Sequence, residues 1–367
     1  MKKALVVIQD LSMSGSPQTF IHVIEALSKC SFQTDVLAYS IFDDRVDLFL
    51  ENDYRKIVDT VYKRSLKATS FLHRLFPAFF LKKMLLGVDL RKYDLVISNN
   101  FIVCSQLVKK KNRPKVIFYS LGYMDTISRF LLLRLIDKRN LNRLIKVDYL
   151  LYLSSRTIPE YLRHNRKTSS TILIDYPNYE AKNIKKINVS DNVIRLGQIG
   201  YFCDNKNQHF SLEVVNELNK RGYHAIISFI GYAHSNEHNY YDLLNQYIIE
   251  NELQDFVSFH KSDYDKNDFF SNCDVLLFPS KSEGLGLVSI ESQLSKTFCL
   301  SSINVPPETD FGMTAFRPLV LDEWVSFLEN KLYKNYNLNE NIDLRGHFET
   351  SIISVIQSLF PLCEAVK

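Results

Sequence analysis

The fold is decided by one stretch in the second half of the chain, Phe278-Pro279-Ser280-Lys281-Ser282-Glu283-Gly284-Leu285-Gly286-Leu287-Val288-Ser289-Ile290-Glu291. A buried strand is predicted to end at Pro279, and a loop with two glycines then leads into a helix. Glycines let a ligand approach the backbone closely, and a helix N-terminus offers free N–H groups to an anion. The carboxylates of Glu283 and Glu291 could accept hydrogen bonds from sugar or ribose hydroxyls. On spacing alone, an ordinary capped strand–loop–helix explains the stretch equally well.

Strands and helices alternate on both sides of this stretch, which predicts parallel α/β sheets. The predicted strands are Ala4–Ile8, Asp35–Tyr39, Asp94–Ser98, Val116–Tyr119, Tyr149–Leu153, Val193–Ile199, Ala225–Gly231, Phe256–His260, Asp274–Pro279 and Thr297–Ser301. The predicted helices are Gln18–Lys29, Asn207–Arg221, Asn239–Glu250, Lys266–Asn272, Leu287–Ser295 and Phe348–Leu362. Residues 51–92 show few strand signals and are predicted to be helical.

A chain of 367 residues fits two domains better than one, because single cores stop growing near ~250–300 residues. We predict a first domain at residues 1–178, a linker at 179–191 and a second domain at 192–345. The terminal helix, 346–367, is predicted to pack back on the first domain. The cysteines form no C-x-x-C pair, which favours a reduced, cytoplasmic protein.

Charge is divided unevenly between the halves of the chain. Residues 1–190 carry 32 Lys and Arg against 17 Asp and Glu, whereas residues 191–367 carry 13 against 24. A basic half indicates an anionic partner, either nucleic acid or an anionic membrane surface. Phe71–Leu86 mixes aromatic, aliphatic and basic residues, a composition typical of helices that insert at a membrane interface. An ordinary domain helix, buried on one face and basic on the other, fits the segment equally well. No nucleic-acid-binding module is recognisable, so we expect a membrane surface and no nucleic acid.

The stretch ending at Glu291 resembles the E-x7-E motif of GT-B glycosyltransferases of family 4, especially the branch that builds capsular and exopolysaccharides. The resemblance extends to Ile199-Gly200-Tyr201-Phe202, Asn205-Lys206-Asn207 and Glu308, and covers roughly residues 193–310. It implies a GT-B fold, in which two Rossmann-like α/β domains face each other across a cleft. It also implies a retaining, metal-independent hexosyltransferase (EC 2.4) that moves sugar from a nucleotide-sugar to a glycan, in particular a lipid-linked one. We therefore expect a peripheral protein of surface polysaccharide synthesis at the inner face of the cell membrane.

The resemblance assigns roles to individual residues. Glu283 is the predicted catalytic residue and contacts donor-sugar hydroxyls, Glu291 binds the ribose, and Lys206 binds phosphate. The remaining predicted donor-side residues are Gly200, Tyr201, Gly284, Leu285, Gly286 and Leu287, and the predicted acceptor-side residues are Gly15, Ser16, Tyr119 and Ser120. No cofactor is expected, because the nucleotide-sugar is a substrate, and the resemblance implies that no metal is needed.

Two departures from the family pattern keep other functions open. The family usually has an arginine where this chain has Tyr201, and a charge-assisted hydrogen bond to phosphate is roughly twice as strong as a neutral one. The first domain lacks the usual paired-glycine loop and has no histidine at Phe118-Tyr119-Ser120. The alternative is a catalytically impaired homologue that binds or stabilises an active glycosyltransferase, and a third interpretation is a sugar-nucleotide epimerase. Asp263-Tyr264-Asp265 imitates a D-x-D metal site, but we favour helix capping there.

Overall fold

The computed structural model of the protein describes residues 1–9, 11, 15–40, 50–66, 75–122, 131–158, 168–177, 179–181, 193–232, 238–261, 263–330 and 343–361. The chain divides into two compact units. The first comprises Met1–Tyr176 and Asp343–Lys367, and the second comprises Pro177–Ile342. Most of the predicted linker, residues 182–191, lies outside the described residues.

The first unit is built on a parallel sheet of seven strands in the order β3-β2-β1-β4-β5-β6-β7. Its strands are β1 (Lys2–Ile8), β2 (Phe32–Ser40), β3 (Thr60–Ser65), β4 (Leu95–Ser98), β5 (Lys115–Ser120), β6 (Tyr149–Tyr152) and β7 (Ser170–Ile172). Its helices are α1 (Gly15–Lys29), α2 (Glu51–Ile57), α3 (Pro77–Met84), α4 (Phe101–Leu107), α5 (Leu131–Leu144) and the terminal α11 (Leu344–Leu359). The strand order changes direction between β1 and β4.

The two faces of this sheet are covered by different helices. Phe80, Leu81 and Met84 of α3 share one apolar core with residues of α4 and α5. On the other face, Phe20 of α1 contacts the ring of Tyr119. Because helices cover both faces, the central strands are apolar throughout, as expected for a parallel sheet.

The terminal helix packs within the first unit, against α1 and the start of β2. Lys29 Nζ lies 2.5 Å from Glu349 Oε2, and the ring of Phe32 contacts that of Phe360 edge to face. These contacts join the first and last described helices of the chain in one unit.

A buried polar trio ties α1 to the segment that leaves the first unit. The Thr19 hydroxyl donates to Asp175 Oδ2 at 2.6 Å, and His22 Nδ1 lies 2.7 Å from Asp175 Oδ1. The His22 ring stacks on Tyr176 with centroids 3.9 Å apart, and Phe348 packs edge-on against both rings. The buried carboxylate is thus fully engaged in positioning the end of the unit.

The second unit contains a parallel sheet of six strands in the order β10-β9-β8-β11-β12-β13. Its strands are β8 (Val193–Ile199), β9 (His224–Ile230), β10 (Val257–His260), β11 (Val275–Phe278), β12 (Phe298–Ser302) and β13 (Thr314–Arg317). Its helices are α6 (Gln208–Lys220), α7 (His238–Glu250), α8 (Lys266–Ser271), α9 (Leu287–Leu294) and α10 (Leu321–Glu329). Here the order changes direction between β8 and β11, and ligands of open α/β sheets bind at such switch points.

The expectation that residues 51–92 are helical is wrong in part, because Thr60–Ser65 forms strand β3. This strand lies at the edge of its sheet, and none of its residues is fully buried. An edge strand with polar residues has no continuous apolar run, so its hydrophobic pattern is weak. Helix α3 begins at Pro77, within the predicted amphipathic segment. Residues 71–74 of that segment lie outside the described residues.

Candidate functional site

Two loops meet at the switch point of the second sheet. The first, residues 200–207, follows β8, and the second, residues 279–286, follows β11. The Lys281 amide donates to the Asn205 carbonyl at 2.8 Å, and the Asn205 side chain returns a hydrogen bond to the Ser282 carbonyl at 2.9 Å. Asn207 also donates to the Pro279 carbonyl at 3.3 Å. The two loops therefore form one connected surface.

Lys206 and Glu283, which sequence analysis assigned to phosphate and sugar, are brought into direct contact. Lys206 Nζ lies 2.5 Å from Glu283 Oε1, and the two side chains are 20% and 12% exposed. The ammonium group also lies 5.4 Å from the centre of the Phe278 ring. A cation and an anion thus stand side by side, partly open to solvent, where a ligand with both phosphate and hydroxyl groups could contact them.

Gly286 allows the second loop to turn directly into α9. Its φ of +101° lies in the left-handed region, and it occupies the N-cap position of the helix. A Cβ atom at this position would lie 2.8 Å from Cε1 of Phe278. Both observations explain the requirement for glycine. The Ser289 amide donates to the Gly286 carbonyl at 3.0 Å, whereas the amides of Leu287 and Val288 precede the first acceptors of α9. This end of the helix therefore carries partial positive charge suited to an anion.

Glu291 lies further along α9 and is almost completely buried, with 6% of its surface exposed. Lys266 Nζ lies 2.7 Å from each of its two carboxylate oxygens. Burial raises the pKa of Glu291, and the charge and hydrogen bonds of Lys266 act in the opposite direction. Glu291, the predicted ribose-binding residue, is thus held by Lys266, a residue that was not among the predicted site residues.

Tyr201, in the position where the family usually has an arginine, packs edge to face against Tyr232. The ring centroids are 4.7 Å apart and the planes are at 88°. The Tyr201 carbonyl accepts a hydrogen bond from Gln208 at 2.7 Å. The two tyrosines follow the ends of β8 and β9, so an aromatic pair stands beside Gly200.

Gly231 was not predicted as a site residue, yet it controls the position of Gly200. A Cβ atom on Gly231 would lie 2.0 Å from the Gly200 carbonyl oxygen. The Gly200 amide donates to the Ile230 carbonyl at 2.9 Å, which holds the two strand ends together. A G-Y pair after each of two adjacent strands, Gly200-Tyr201 and Gly231-Tyr232, was the available sequence signal.

The predicted acceptor-side residues lie at the carboxyl edge of the first sheet. The Tyr119 hydroxyl donates to the Leu173 carbonyl at 2.8 Å, and the Ser120 hydroxyl donates to the Thr157 carbonyl at 2.7 Å. Both side chains are buried and engaged with backbone. Ser16 Oγ accepts from Asn99 at 2.8 Å, and Gly15 is the first residue of α1. Ser14, the other side of the predicted glycine loop, lies outside the described residues.

The D-x-D sequence caps a helix. The Asp265 side chain accepts hydrogen bonds from the amides of Asn267 and Asp268 at the start of α8, which confirms the capping interpretation. Within the described ranges, no group of three His, Cys, Asp or Glu side chains is arranged to hold a metal ion.

Residues 180–310 match the family model described as Glycosyl transferases group 1. The chain is similar to solved structures of Anabaena Alr3699/HepE in complex with UDP (14% identity, 98% of this chain and 96% of that chain, TM-score 0.70). It is also similar to the lipopolysaccharide outer core galactosyltransferase WaaB (15%, 98% and 99%, TM-score 0.68) and to sucrose-phosphate synthase from Thermosynechococcus elongatus (14%, 98% and 98%, TM-score 0.70). No curated protein sequence gives a significant match.

At these identities, the structural similarity establishes the fold alone: two parallel-sheet α/β domains that match GT-B glycosyltransferase structures. The predicted fold class is therefore confirmed. The family match covers the part of the second unit that contains Lys206, Glu283 and Glu291. The chain therefore has a GT-B fold, and its residues 180–310 match a glycosyltransferase family.

Proposed function

We propose that the protein is a retaining, metal-independent glycosyltransferase that moves a sugar from a nucleotide-sugar to a lipid-linked glycan in surface polysaccharide synthesis. The main support for this proposal is the contact of Lys206 with Glu283. Glu283 is followed at once by a glycine loop and the N-terminus of α9, and Glu291 lies in that helix. Alr3699/HepE has been solved with UDP-glucose, which supports a uridine nucleotide as the first donor to test.

The donor would bind at the switch point of the second sheet. The diphosphate would lie against the N-terminus of α9, where N–H groups and the helix dipole favour an anion. Lys206 would contact a phosphate oxygen and keep its hydrogen bond to Glu283, because an ammonium group has three donors. Glu291 would accept the ribose hydroxyls, and Glu283 the hydroxyls of the donor sugar.

Transfer breaks the bond between the anomeric carbon and the diphosphate oxygen and forms a bond from that carbon to an acceptor hydroxyl oxygen, whose proton passes to the leaving diphosphate. Negative charge then develops on the leaving nucleoside diphosphate, so donors already aimed at it stabilise the transition state. Lys206 and the first N–H groups of α9 would fill this role. Glu283 would hold the sugar ring through its hydroxyls, and its carboxylate is the proposed catalytic group.

The acceptor is proposed to bind at the carboxyl edge of the first sheet, near Gly15 and Ser16. Ser16 Oγ accepts its hydrogen bond from Asn99 and keeps further hydrogen-bonding capacity. Tyr119 and Ser120 would act indirectly, because their buried hydroxyls bind backbone carbonyls and fix the end of β5.

A second candidate function rests on Tyr201. A neutral tyrosine packed against Tyr232 supplies no positive charge to a leaving diphosphate. This favours a catalytically impaired homologue that binds or stabilises an active glycosyltransferase. The retained Lys206–Glu283 pair favours the active enzyme.

A binding panel tests the donor assignment. Calorimetry with UDP, GDP, UDP-glucose and GDP-mannose should show binding of one nucleotide class, with the charge-reversed variant Lys206→Glu losing most of the affinity. Turnover of the bound nucleotide-sugar would separate the enzyme from the impaired homologue. If the protein binds none of the four, the donor assignment is wrong.

The proposed membrane contact is the exposed side of α3 and its flanks. Phe76, Phe79 and Leu86 are 58%, 64% and 69% exposed, and Lys82 and Lys83 are exposed on the same helix. Apolar side chains beside lysines match the chemistry of an anionic bilayer surface. No helix in the described part of the chain is long and apolar enough to cross a membrane.

Vesicle pelleting tests this contact. The Lys82→Glu/Lys83→Glu variant should pellet less with vesicles that contain anionic lipid, and salt should release the parent, because the attraction fades over ~8 Å at physiological ionic strength. The Phe79→Ser variant should also pellet less, with a weaker dependence on salt. The control is Lys220→Glu/Lys261→Glu, two exposed lysines of the acidic half. If both lysine pairs behave alike, net charge alone explains the binding.

A further inference from the structure

The Lys266–Glu291 pair joins two elements of the second unit. Lys266 is the first residue of α8, and Glu291 lies in α9. The ammonium nitrogen is 2.7 Å from both carboxylate oxygens, so the pair is symmetric. The side chain of Glu291 is 8% exposed, whereas that of Lys266 is 37% exposed. The lysine is therefore the more exposed member of the pair, and the carboxylate is the buried one.

Neighbouring groups hold the lysine in this place. Its ammonium nitrogen lies 6.0 Å from the centre of the Tyr179 ring. The Tyr179 hydroxyl is fixed by Ser295 Oγ at 2.6 Å and Asn267 Oδ1 at 2.9 Å. Asp265 caps α8 immediately before Lys266. Among the described residues, Lys266 is the cation in contact with Glu291, and Tyr179 and Asp265 are titratable groups beside this pair.

We propose that Lys266 is a positioning residue of the nucleotide site: it keeps Glu291 charged and oriented so that both carboxylate oxygens can accept the ribose hydroxyls. This inference rests on the proposed function, since it concerns the ribose of the nucleotide-sugar. It assigns a role to a residue outside the E-x7-E stretch.

A carboxylate can accept enough hydrogen bonds to bind Lys266 and two ribose hydroxyls at the same time. An ionised carboxylate has about four lone-pair sites on its two oxygens. Lys266 occupies one site on each oxygen, which leaves one on each for a pair of vicinal hydroxyls. A protonated carboxyl group loses one of these acceptor sites and becomes a donor. Burial favours that neutral form, and Lys266 opposes it.

The test compares Lys266→Met, which keeps the length of the side chain without its charge, with Lys266→Arg. Glutamate labelled with carbon-13 allows the titration of Glu291 to be followed by NMR without nucleotide. Calorimetry then measures the affinity for UDP and for 2′,3′-dideoxyuridine diphosphate between pH 5.5 and 8.5. Lys220→Met serves as the control for lost charge, since Lys220 is exposed and lies at the end of α6.

We expect the titration midpoint of Glu291 to move to higher pH in Lys266→Met and to return towards the parent value in Lys266→Arg. UDP affinity of Lys266→Met should fall as pH falls, by up to about tenfold per pH unit once Glu291 is protonated, because only the ionised fraction binds. The dideoxy compound should lack this additional fall and show only the dependence that comes from its terminal phosphate, which titrates near pH ~6 and is common to both nucleotides.

Three results would overturn the inference. An unchanged Glu291 midpoint would show that Lys266 does not hold the charge, and an equal loss of affinity for both nucleotides would show a merely structural role. A loss of UDP affinity in Lys220→Met as large as that in Lys266→Met would also contradict the inference. If the parent itself binds neither UDP nor GDP, the proposed function fails first, and the nucleotide role of Lys266 fails with it.

Discussion

Replacing Gly231 with alanine should disturb the donor site through a single added methyl group. The new Cβ atom would lie 2.0 Å from the Gly200 carbonyl oxygen, whereas Cβ atoms in proteins essentially never have such a neighbour closer than 3.0 Å. The backbone around Gly200 must therefore move by roughly 1 Å, because the obstacle is a carbonyl group and not a flexible side chain. Gly200 is fixed by its hydrogen bond to Ile230, so the movement also strains the end of β8.

The size of the effect follows from that displacement. Overpacking that forces a backbone shift costs about 1–3 kcal/mol, which corresponds to a lowering of Tm by about 2–12 °C for a domain of this size. A misplacement of about 1 Å in a site that positions reacting groups can lower turnover by about 100-fold. We therefore expect Gly231→Ala to melt earlier and to bind UDP more weakly, as measured by calorimetric melting and titration.

Gly122→Ala is the matched control, since no atom of the described residues lies within 4 Å of a Cβ at Gly122. This control should leave Tm and nucleotide affinity unchanged within error. If Gly231→Ala matched the parent in both measurements, the close approach of the two strand ends would not constrain the site. The role of Gly231 in placing Gly200 and Tyr201 would then be refuted.

Three further predictions concern single side chains. Glu291→Ala should weaken nucleoside diphosphate binding by about 1.5–3 kcal/mol, because a charged acceptor of hydroxyl groups is lost; equal affinity in calorimetry would exclude the ribose role. Tyr201→Arg should tighten diphosphate binding, since a cation replaces a neutral donor and can also rest on the neighbouring aromatic ring; unchanged affinity with an intact fold would contradict this. Phe80→Ala should cost about 3–5 kcal/mol of unfolding free energy as a cavity mutation, whereas Phe79→Ala should change it by less than about 0.5 kcal/mol; equal denaturation midpoints would contradict the assignment of the two rings.

Sequence patterns were most reliable where strands are buried on both faces. The apolar run Val193–Ile199 predicted β8 with the bounds that the structure shows. The short strands β7 and β13 and the polar edge strand β3 were missed. Their side chains alternate weakly or not at all, and pairing with a neighbouring strand decides their conformation.

The site shows the same division between local and long-range information. Glu283, Gly286 and Glu291 lie within one continuous stretch, so spacing and resemblance could single them out. Lys266 is 25 positions before Glu291, and only the packing of α8 beside α9 makes it the partner of that carboxylate. Likewise, the constraint on Gly231 comes from the approach of a neighbouring strand end.

In the amphipathic segment Phe71–Leu86, the spacing of apolar residues alone could not tell exposed side chains from core side chains. Phe79 and Phe80 are adjacent in the sequence, yet Phe79 is exposed while Phe80 belongs to the core shared with α4 and α5. Successive helical residues point about 100° apart, so one aromatic pair can serve both environments. Phe79 is therefore the ring of this pair that can contact a membrane surface.

A crystal structure of the protein with bound UDP would test the central claim most directly. We expect the diphosphate to lie against the N–H groups at Gly284–Leu287 in contact with Lys206, and the ribose hydroxyls to bind the Glu291 carboxylate. A nucleotide bound elsewhere on the chain, or one at this site with its ribose away from Glu291, would contradict the account.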